Sequence, residues 1–179
     1  MRTSKSDPLK IAEIEIGENK VGLSLCPGKH QTHPQYGDAW HRDLDIDLIK
    51  IKNNGYDTVL TLIENHEMQR LRVKELRRGR VEYYGMSWIW APITDQGVPE
   101  NIVYSQIEQG LETITSGKSL FIHCMGGLGR AGLITAWILT HFGRTAEDAI
   151  REVRTVRPGA IENIAQEQWV MENSEKNLI

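Results

Sequence analysis

Cysteine is scarce in this sequence. Cys26 and Cys124 are the only two, too few for a disulfide framework or a four-thiolate zinc site. A reduced, cytoplasmic setting is the expectation. Long apolar runs are also missing. The longest uncharged apolar stretch, Ala131 to Phe142, is too short for a membrane span, and residues 1–8 lack the apolar core of a signal peptide. Neither sign of charge dominates: 21 Lys and Arg stand against 24 Asp and Glu, a net charge of −3. That balance argues against coating a polyanion, so nucleic acid is not an expected partner. With 6 Pro and 16 Gly, collagen-like or low-complexity character is excluded, and no solenoid-length repeat is visible.

What remains is an ordinary globular composition. The 179 residues, 40% hydrophobic and 25% charged, suit one domain with a core of its own. Residues 1–8 read as a frayed polar tail and residues 9–179 as the domain, expected to be monomeric.

Ile11, Ile14 and Ile16 followed by Val21, Leu23 and Leu25 suggest a hairpin around Gly17-Glu18-Asn19. The polar stretch Lys29 to Trp40 reads as a loop, and Asp43 to Asn53 as a short helix closed by Asn54-Gly55. Thr58 to Ile63 is a compact apolar run typical of a strand covered on both faces. Glu64 to Arg78 reads as a polar helix and Val81 to Trp90 as a returning strand. Asn101 to Thr115 is amphipathic, with Ile102, Ile107, Leu111 and Ile114 on one side. Ser119 to His123 is a further buried strand; Ala131–His141, Thr145–Val156 and Asn163–Lys176 read as helices. Strands alternating with helices predict an α/β domain with a central, largely parallel sheet flanked by helices on both faces, where ligands sit at the carboxyl ends of the strands.

Position 124 lies at such an end. In His123-Cys124-Met125-Gly126-Gly127-Leu128-Gly129-Arg130-Ala131-Gly132 a strand reaches a cysteine, a loop holds three glycines, and an arginine opens a helix. Glycines let successive backbone amides turn toward one oxyanion, and the helix start adds its positive dipole end. Arg130 can grip two phosphate oxygens at once, and a loop built for an anion also favours the thiolate of Cys124 as a nucleophile. A cysteine six positions before an arginine means little alone; the conjunction in one window carries the reading.

This window resembles the signature of the cysteine-dependent protein tyrosine phosphatases, in their dual-specificity branch, and is most similar to the kinase-associated, cyclin-dependent kinase inhibitor type. Leu23 to Gly28, Pro92 to Pro99 and Gly159 to Gln166 support the resemblance. It implies the phosphatase fold and a metal-independent, cofactor-free reaction. Cys124 takes the phosphoryl group from a phosphotyrosine, phosphoserine or phosphothreonine of a protein, and water then releases it. Met125 to Gly129 would bind the phosphate with Arg130.

Asp95 matches the family's general acid, Gln166 a glutamine that positions the hydrolytic water, and His123 a histidine that steadies the loop. Where the family usually has Ser or Thr after the arginine, this chain has Ala131, as the phosphatases of regenerating liver do; the second step is expected to be slowed. Phosphorylated proteins, among them a protein kinase, are the implied partners. A phosphoinositide phosphatase and a weakly active phosphoprotein-binding module are the rival readings, the first disfavoured because the loop holds no lysine.

Four features stay outside that machinery. His30, His33 and His41 read as solvated loop residues rather than a metal site. Arg70, Arg72, Arg77, Arg78 and Arg80 read as a solvated helix face, or more sharply as a docking face. Trp88 and Trp90 are expected in the core or beside the Asp95 loop. Cys26 reads as a buried strand-end residue, with a redox role toward Cys124 as the alternative.

Overall fold

The computed structural model describes residues 1–34 and 37–174. Strands β1 (Ala12–Ile16) and β2 (Asn19–Ser24) form the hairpin, turning at Gly17. A two-residue ribbon, β3 (His30–Gln31) with β4 (Trp40–His41), interrupts the expected loop. Helix α1 (Leu44–Asn53) follows, capped by the Asp43 carboxylate on the Ile46 amide. Then come β5 (Thr58–Thr61), α2 (Asn65–Arg70), α3 (Arg78–Tyr83), β6 (Ser87–Trp90), α4 (Tyr104–Thr115), β7 (Leu120–His123), α5 (Gly129–Thr140), α6 (Ala146–Val156) and α7 (Ile164–Asn173).

The sheet order is β1-β2-β7-β5-β6, with β1 antiparallel and the other four strands parallel. Every residue of β5 and β7 is buried, as strands covered on both faces require. Leu60 and Leu120 face α4, where Gly110 lets the helix approach. On the opposite face Tyr56 meets Phe121 edge-on, and its hydroxyl lies where a Cβ on Gly22 would be. Helix α5 is buried along its whole length, packed on β2 and β7 and covered by α6 and α7.

The register aligns Ser24, His123, Thr61 and Trp90 in one row at the carboxyl edge of the sheet. The loops leaving that row therefore converge, which is the geometric origin of the site.

Some expectations need correction. The polar stretch from Glu64 is not one helix: α2 ends at Arg70 and the chain turns through Arg72, whose φ is 57°. The reason is tertiary, since burying Glu67, Met68, Leu71, Val73 and Leu76 pulls the segment inward where an even helix would keep a wet face. Val81 to Tyr83 are helical, and the strand begins only at Ser87. Ile102 is exposed in a 3-10 turn before α4 instead of sharing the buried side with Ile107 and Ile114.

Residues 1–8 are not frayed. The Arg2 amide donates to Ala39, the His41 amide to Arg2, and the Arg42 guanidinium to the Asp7 carbonyl at 2.8 Å. Arg42 itself is buried and bidentate on Asp47 at 2.8 and 2.9 Å. The end of the last expected helix, Lys176, lies outside the described residues.

Candidate active site

Cys124 follows β7 directly and is 3% exposed. The loop after it is held from outside by its carbonyls. His123 Nδ1 bonds the Cys124 oxygen at 3.1 Å. Lys29 Nζ and the Cys26 amide donate to Met125 O at 3.3 and 3.2 Å. Arg157 donates from Nη2 to Gly126 O at 2.9 Å and from Nε to Gly127 O at 3.0 Å. The Leu128 carbonyl receives the Gly132 amide at 2.9 Å. The amides of residues 125–130 donate to no protein acceptor among the described residues. Six successive donors beside a thiol, at the start of a twelve-residue helix, form an anion cradle.

The three glycines serve different ends. Gly127 has φ 70°, and a Cβ there would lie 2.2 Å from the Ser24 carbonyl carbon. Gly129 has ordinary φ but admits the Glu162 carboxylate and the Gln166 amide, 2.2 and 3.0 Å from where a Cβ would stand. Gly126 meets nothing. Positive φ is thus the need at Gly127, absence of a Cβ the need at Gly129, and neither applies at Gly126.

Arg130, 2% exposed, is clamped by a residue not singled out in the sequence. Its Nη1 and Nη2 donate to Glu67 Oε2 and Oε1 at 2.7 and 2.8 Å. Nη1 also reaches the Ile93 carbonyl at 2.9 Å and Nη2 the Asp95 carboxylate at 3.0 Å. Burial alone would push the Glu67 carboxyl up; the Arg130 fork and the Glu64 amide hold it below its ordinary value. Burial would likewise lower Arg130, but Glu67, Cys124 and Asp95 keep it firmly charged.

Asp95 is about half exposed in a turn closed by Gly97 N on Thr94 O at 2.8 Å, with Gln96 at φ 60°. Helix α7 holds that turn. Asn163 Nδ2 donates to Gln96 O at 2.9 Å, and Gln166 Nε2 to Gly97 O at 3.1 Å. Gln166 Oε1 accepts the Glu162 amide at 2.9 Å. Gln166 is therefore fully buried, with both ends of its amide engaged.

His123 is fixed by chemistry that settles its tautomer. A carbonyl only accepts, so Nδ1 carries the proton and Nε2 is an acceptor. Thr61 Oγ1 donates to Nε2 at 2.8 Å and in turn accepts from Trp88 Nε1 at 2.9 Å. Burial depresses His123 to a pKa of about 4, so it is neutral at pH 7 and steadies the Cys124 carbonyl.

The region carries two further cations, Lys29 buried and Arg157 half-buried. Burial lowers Lys29 to about 8, although the two cysteines work the other way. Burial also lowers Arg157. Ala131 is fully buried, its carbonyl accepting from Thr135 Oγ1 at 2.8 Å. Cys26 is buried in apolar surroundings that push its thiol up, and both cysteines are free. Thus Cys124, Met125 to Arg130, Asp95, Gln166, His123 and Ala131 come together around one loop. Glu67, Arg157, Lys29, Thr61 and Asn163 join them. The Glu-x-x-Glu of Glu64 and Glu67, a capping box, was the one local signal for Glu67. Arg157 and Lys29 had none. Among the described residues no group of three or more His, Cys, Asp or Glu could hold a metal ion. No helix there is long and apolar enough to cross a membrane.

Comparison with known proteins bears on this geometry. The family described as "Polymorphic toxin system, DSP-PTPase phosphatase" matches residues 40–144. Cyclin-dependent kinase inhibitor 3 of Sus scrofa is 30% identical over 190 residues, covering 98% of this chain and 89% of the relative. The human protein of that name is 30% identical over 87% of this chain and 72% of its own. The yeast tyrosine-protein phosphatase CDC14 is 28% identical over 66% of this chain and 22% of its own. Among solved structures, kinase-associated phosphatase with its catalytic-site cysteine replaced by serine superposes with a TM-score of 0.77. It is 24% identical, with 92% of this chain and 93% of that one covered. The active form of Tk-PTP gives 0.67 at 27% identity, covering 92% and 97%. The chain belongs to the dual-specificity family of cysteine-dependent protein tyrosine phosphatases.

Proposed function

We propose that Cys124 is the nucleophile of this protein phosphatase and that Arg130 and the loop amides hold the transferred group. The Sγ thiolate attacks phosphorus in line, and the bond to the ester oxygen breaks. Asp95, protonated once its carboxylate leaves Arg130 Nη2, gives that proton to the ester oxygen as it departs. Water then attacks phosphorus, Asp95 takes the water's proton, and the P–S bond breaks to free phosphate and thiolate. Charge builds on the equatorial oxygens throughout, so prearranged donors contribute most of the acceleration. Glu67 and the Ile93 carbonyl hold the Nη ends of Arg130, so the phosphoryl group is met by its Nε and, once Asp95 lets go, by the freed hydrogen on Nη2. Gln166 acts as a positioning residue: engaged with Gly97 O and Glu162 N, it holds the Asp95 turn, and reaching a water would require it to release one of those partners.

The observation that carries this reading is the outward capture of the loop carbonyls by His123, Lys29 and Arg157, which leaves the amides for an anion beside Cys124. The substrates are phosphotyrosine and phosphoserine or phosphothreonine residues of proteins. A protein kinase is one partner we include among them; the name of the relatives, Cyclin-dependent kinase inhibitor 3, ties those proteins to a kinase. The chain acts as a monomer in the cytoplasm. In the test, Cys124→Ser abolishes hydrolysis of a small aryl phosphate while circular dichroism stays native, because a hydroxyl is not ionised near pH 7. Activity near wild type in that variant overturns the mechanism.

A further inference from the structure

A groove of about 420 Å³ opens beside the cradle, lined by both Asp95 and Met125 of the candidate site. From there it takes in Arg70 and Arg72, at and just beyond the end of α2, and the β3–β4 ribbon with His30, Trp40 and His41. Among the described lining residues Asp95 is the one carboxylate, and it is already paired with Arg130.

Of the two arginines, Arg72 has no matching charge among the described residues and Arg70 shares one carboxylate with Arg130. Arg70 lies 4.0 Å from Glu67, whose oxygens are both taken by Arg130, and otherwise touches Met125 Sδ at 3.4 Å. Arg72 is exposed, and no hydrogen bond or ion pair of its guanidinium occurs among the described residues. His30 stays neutral, held low by burial and by neighbouring His41. The groove thus presents the unpaired Arg72 guanidinium, an Arg70 guanidinium only loosely held by a carboxylate that Arg130 already occupies, and the apolar edges of Leu71 and Trp40, continuous with the place where a phosphorylated side chain would enter.

We propose that this groove receives the peptide flanking the phosphorylated residue and selects flanks that carry an anionic side chain. The anion is a carboxylate or a second phosphate, met by Arg72 and Arg70. The proposal rests on the phosphatase reading and adds a substrate class to it. A guanidinium fork suits either anion, and because both arginines are exposed the preference is screened by salt.

Arg72→Asn removes the charge and suits the backbone, since asparagine enters the left-handed region more readily than arginine. The test uses phosphopeptides alike except for flanking glutamates, a flanking phosphoserine or flanking glutamines, with a small aryl phosphate as control. Wild-type kcat/KM should favour both anionic peptides about five- to tenfold, the scale of two screened charge pairs, and the preference should shrink in 0.5 M salt. Arg72→Asn should lose most of it, Arg70→Gln with Arg72→Asn nearly all, and Arg72→Asn should leave the aryl phosphate rate within about twofold.

Equal rates on acidic and neutral peptides in wild type overturn the proposal, as does a preference that survives the double variant. Preference for a soluble bis-phosphorylated inositol headgroup over every peptide, lost in Arg72→Asn, would also overturn it by assigning the groove to a lipid. Fluorescence anisotropy of the same peptides on Cys124→Ser protein reads the groove without turnover. A wild type that left the aryl phosphate intact would therefore overturn the phosphatase reading, while the binding preference still decided the groove.

Discussion

Arg130 and Glu67 meet as a buried bidentate pair, 63 residues apart in the chain, with N–O distances of 2.7 and 2.8 Å. The pairing fixes both Nη nitrogens on one side, and on the proposed mechanism it does so before a phosphate arrives. Orientation set in advance spares that cost during the reaction.

Glu67→Gln keeps the shape and removes the charge. Breaking a buried pair costs about 3 kcal/mol, and a slackened Arg130 should lower kcat/KM for an aryl phosphate by about tenfold to a hundredfold. Urea unfolding and steady-state kinetics read the two effects. Normal kinetics in a destabilised protein would make Glu67 a structural residue only.

Arg157 is the outer brace of the cradle. Arg157→Met removes two charge-assisted bonds to the Gly126 and Gly127 carbonyls, each worth about 1.5–3 kcal/mol. Inhibition by inorganic phosphate should weaken about tenfold to a hundredfold. An unchanged inhibition constant would mean that the loop keeps its form without the brace.

Asp95→Ala should slow hydrolysis of a phosphotyrosine peptide by about 10²–10⁴-fold, and far less for an aryl ester whose leaving group needs no proton. Equal losses on both substrates would remove Asp95 from the role of acid.

Stability should depend on His123 in mildly acid solution. Its folded-state pKa is lowered from 6.5 to about 4, so the unfolded chain takes up a proton first as pH falls. The neutral histidine's contribution is complete above about pH 6.5 and is lost progressively toward pH 4, about 3 kcal/mol in all. Glu67, also lowered, contributes fully above about pH 4.5 and loses its effect only as pH falls through its depressed value, so the windows separate. Urea midpoints between pH 7 and 4.5 should fall in wild type and flatten in His123→Gln. Parallel curves would assign the slope to other groups.

Ala131 leaves the departing sulfur without a hydroxyl donor from the position after Arg130. Breakdown of the phosphocysteine should then limit turnover, giving a burst near one equivalent per site and a turnover number nearly independent of the leaving group. Ala131→Ser should raise the steady rate by about tenfold to a hundredfold, the worth of one hydrogen bond to a charged group. No burst in wild type, with an unchanged rate in Ala131→Ser, would show that formation of the intermediate is limiting.

Local sequence carried the hairpin, the buried strands β5 and β7, helices α5 and α6, and the window from His123 to Gly132. Each rests on contacts between near neighbours: alternation along a strand, a glycine where φ is positive, a helix start after a loop. Asp95 and Gln166 became candidates through resemblance, and the fold brings them to the cradle because Gln166 Nε2 and Asn163 Nδ2 bond the Asp95 turn from helix α7. The stretch from Glu64 to Arg78 departs from the solvated helix that its polar composition predicts, and the strand expected from Val81 begins only at Ser87. Only packing reveals that Leu71, Val73 and Leu76 must turn inward and that Arg72 takes a left-handed φ to allow it.

The partners of the cradle lay beyond any local pattern. Glu67, Thr61 and Arg157 are ordinary residues until the parallel register aligns Ser24, His123, Thr61 and Trp90 at one edge of the sheet. A hydrogen-bonding group buried without partners is costly, so these side chains turn to the loop that the register sets before them. Chain chemistry determined that residues 123–132 could wrap an anion; sheet register and burial decided which distant carboxylate, hydroxyl and guanidinium would hold them in that form.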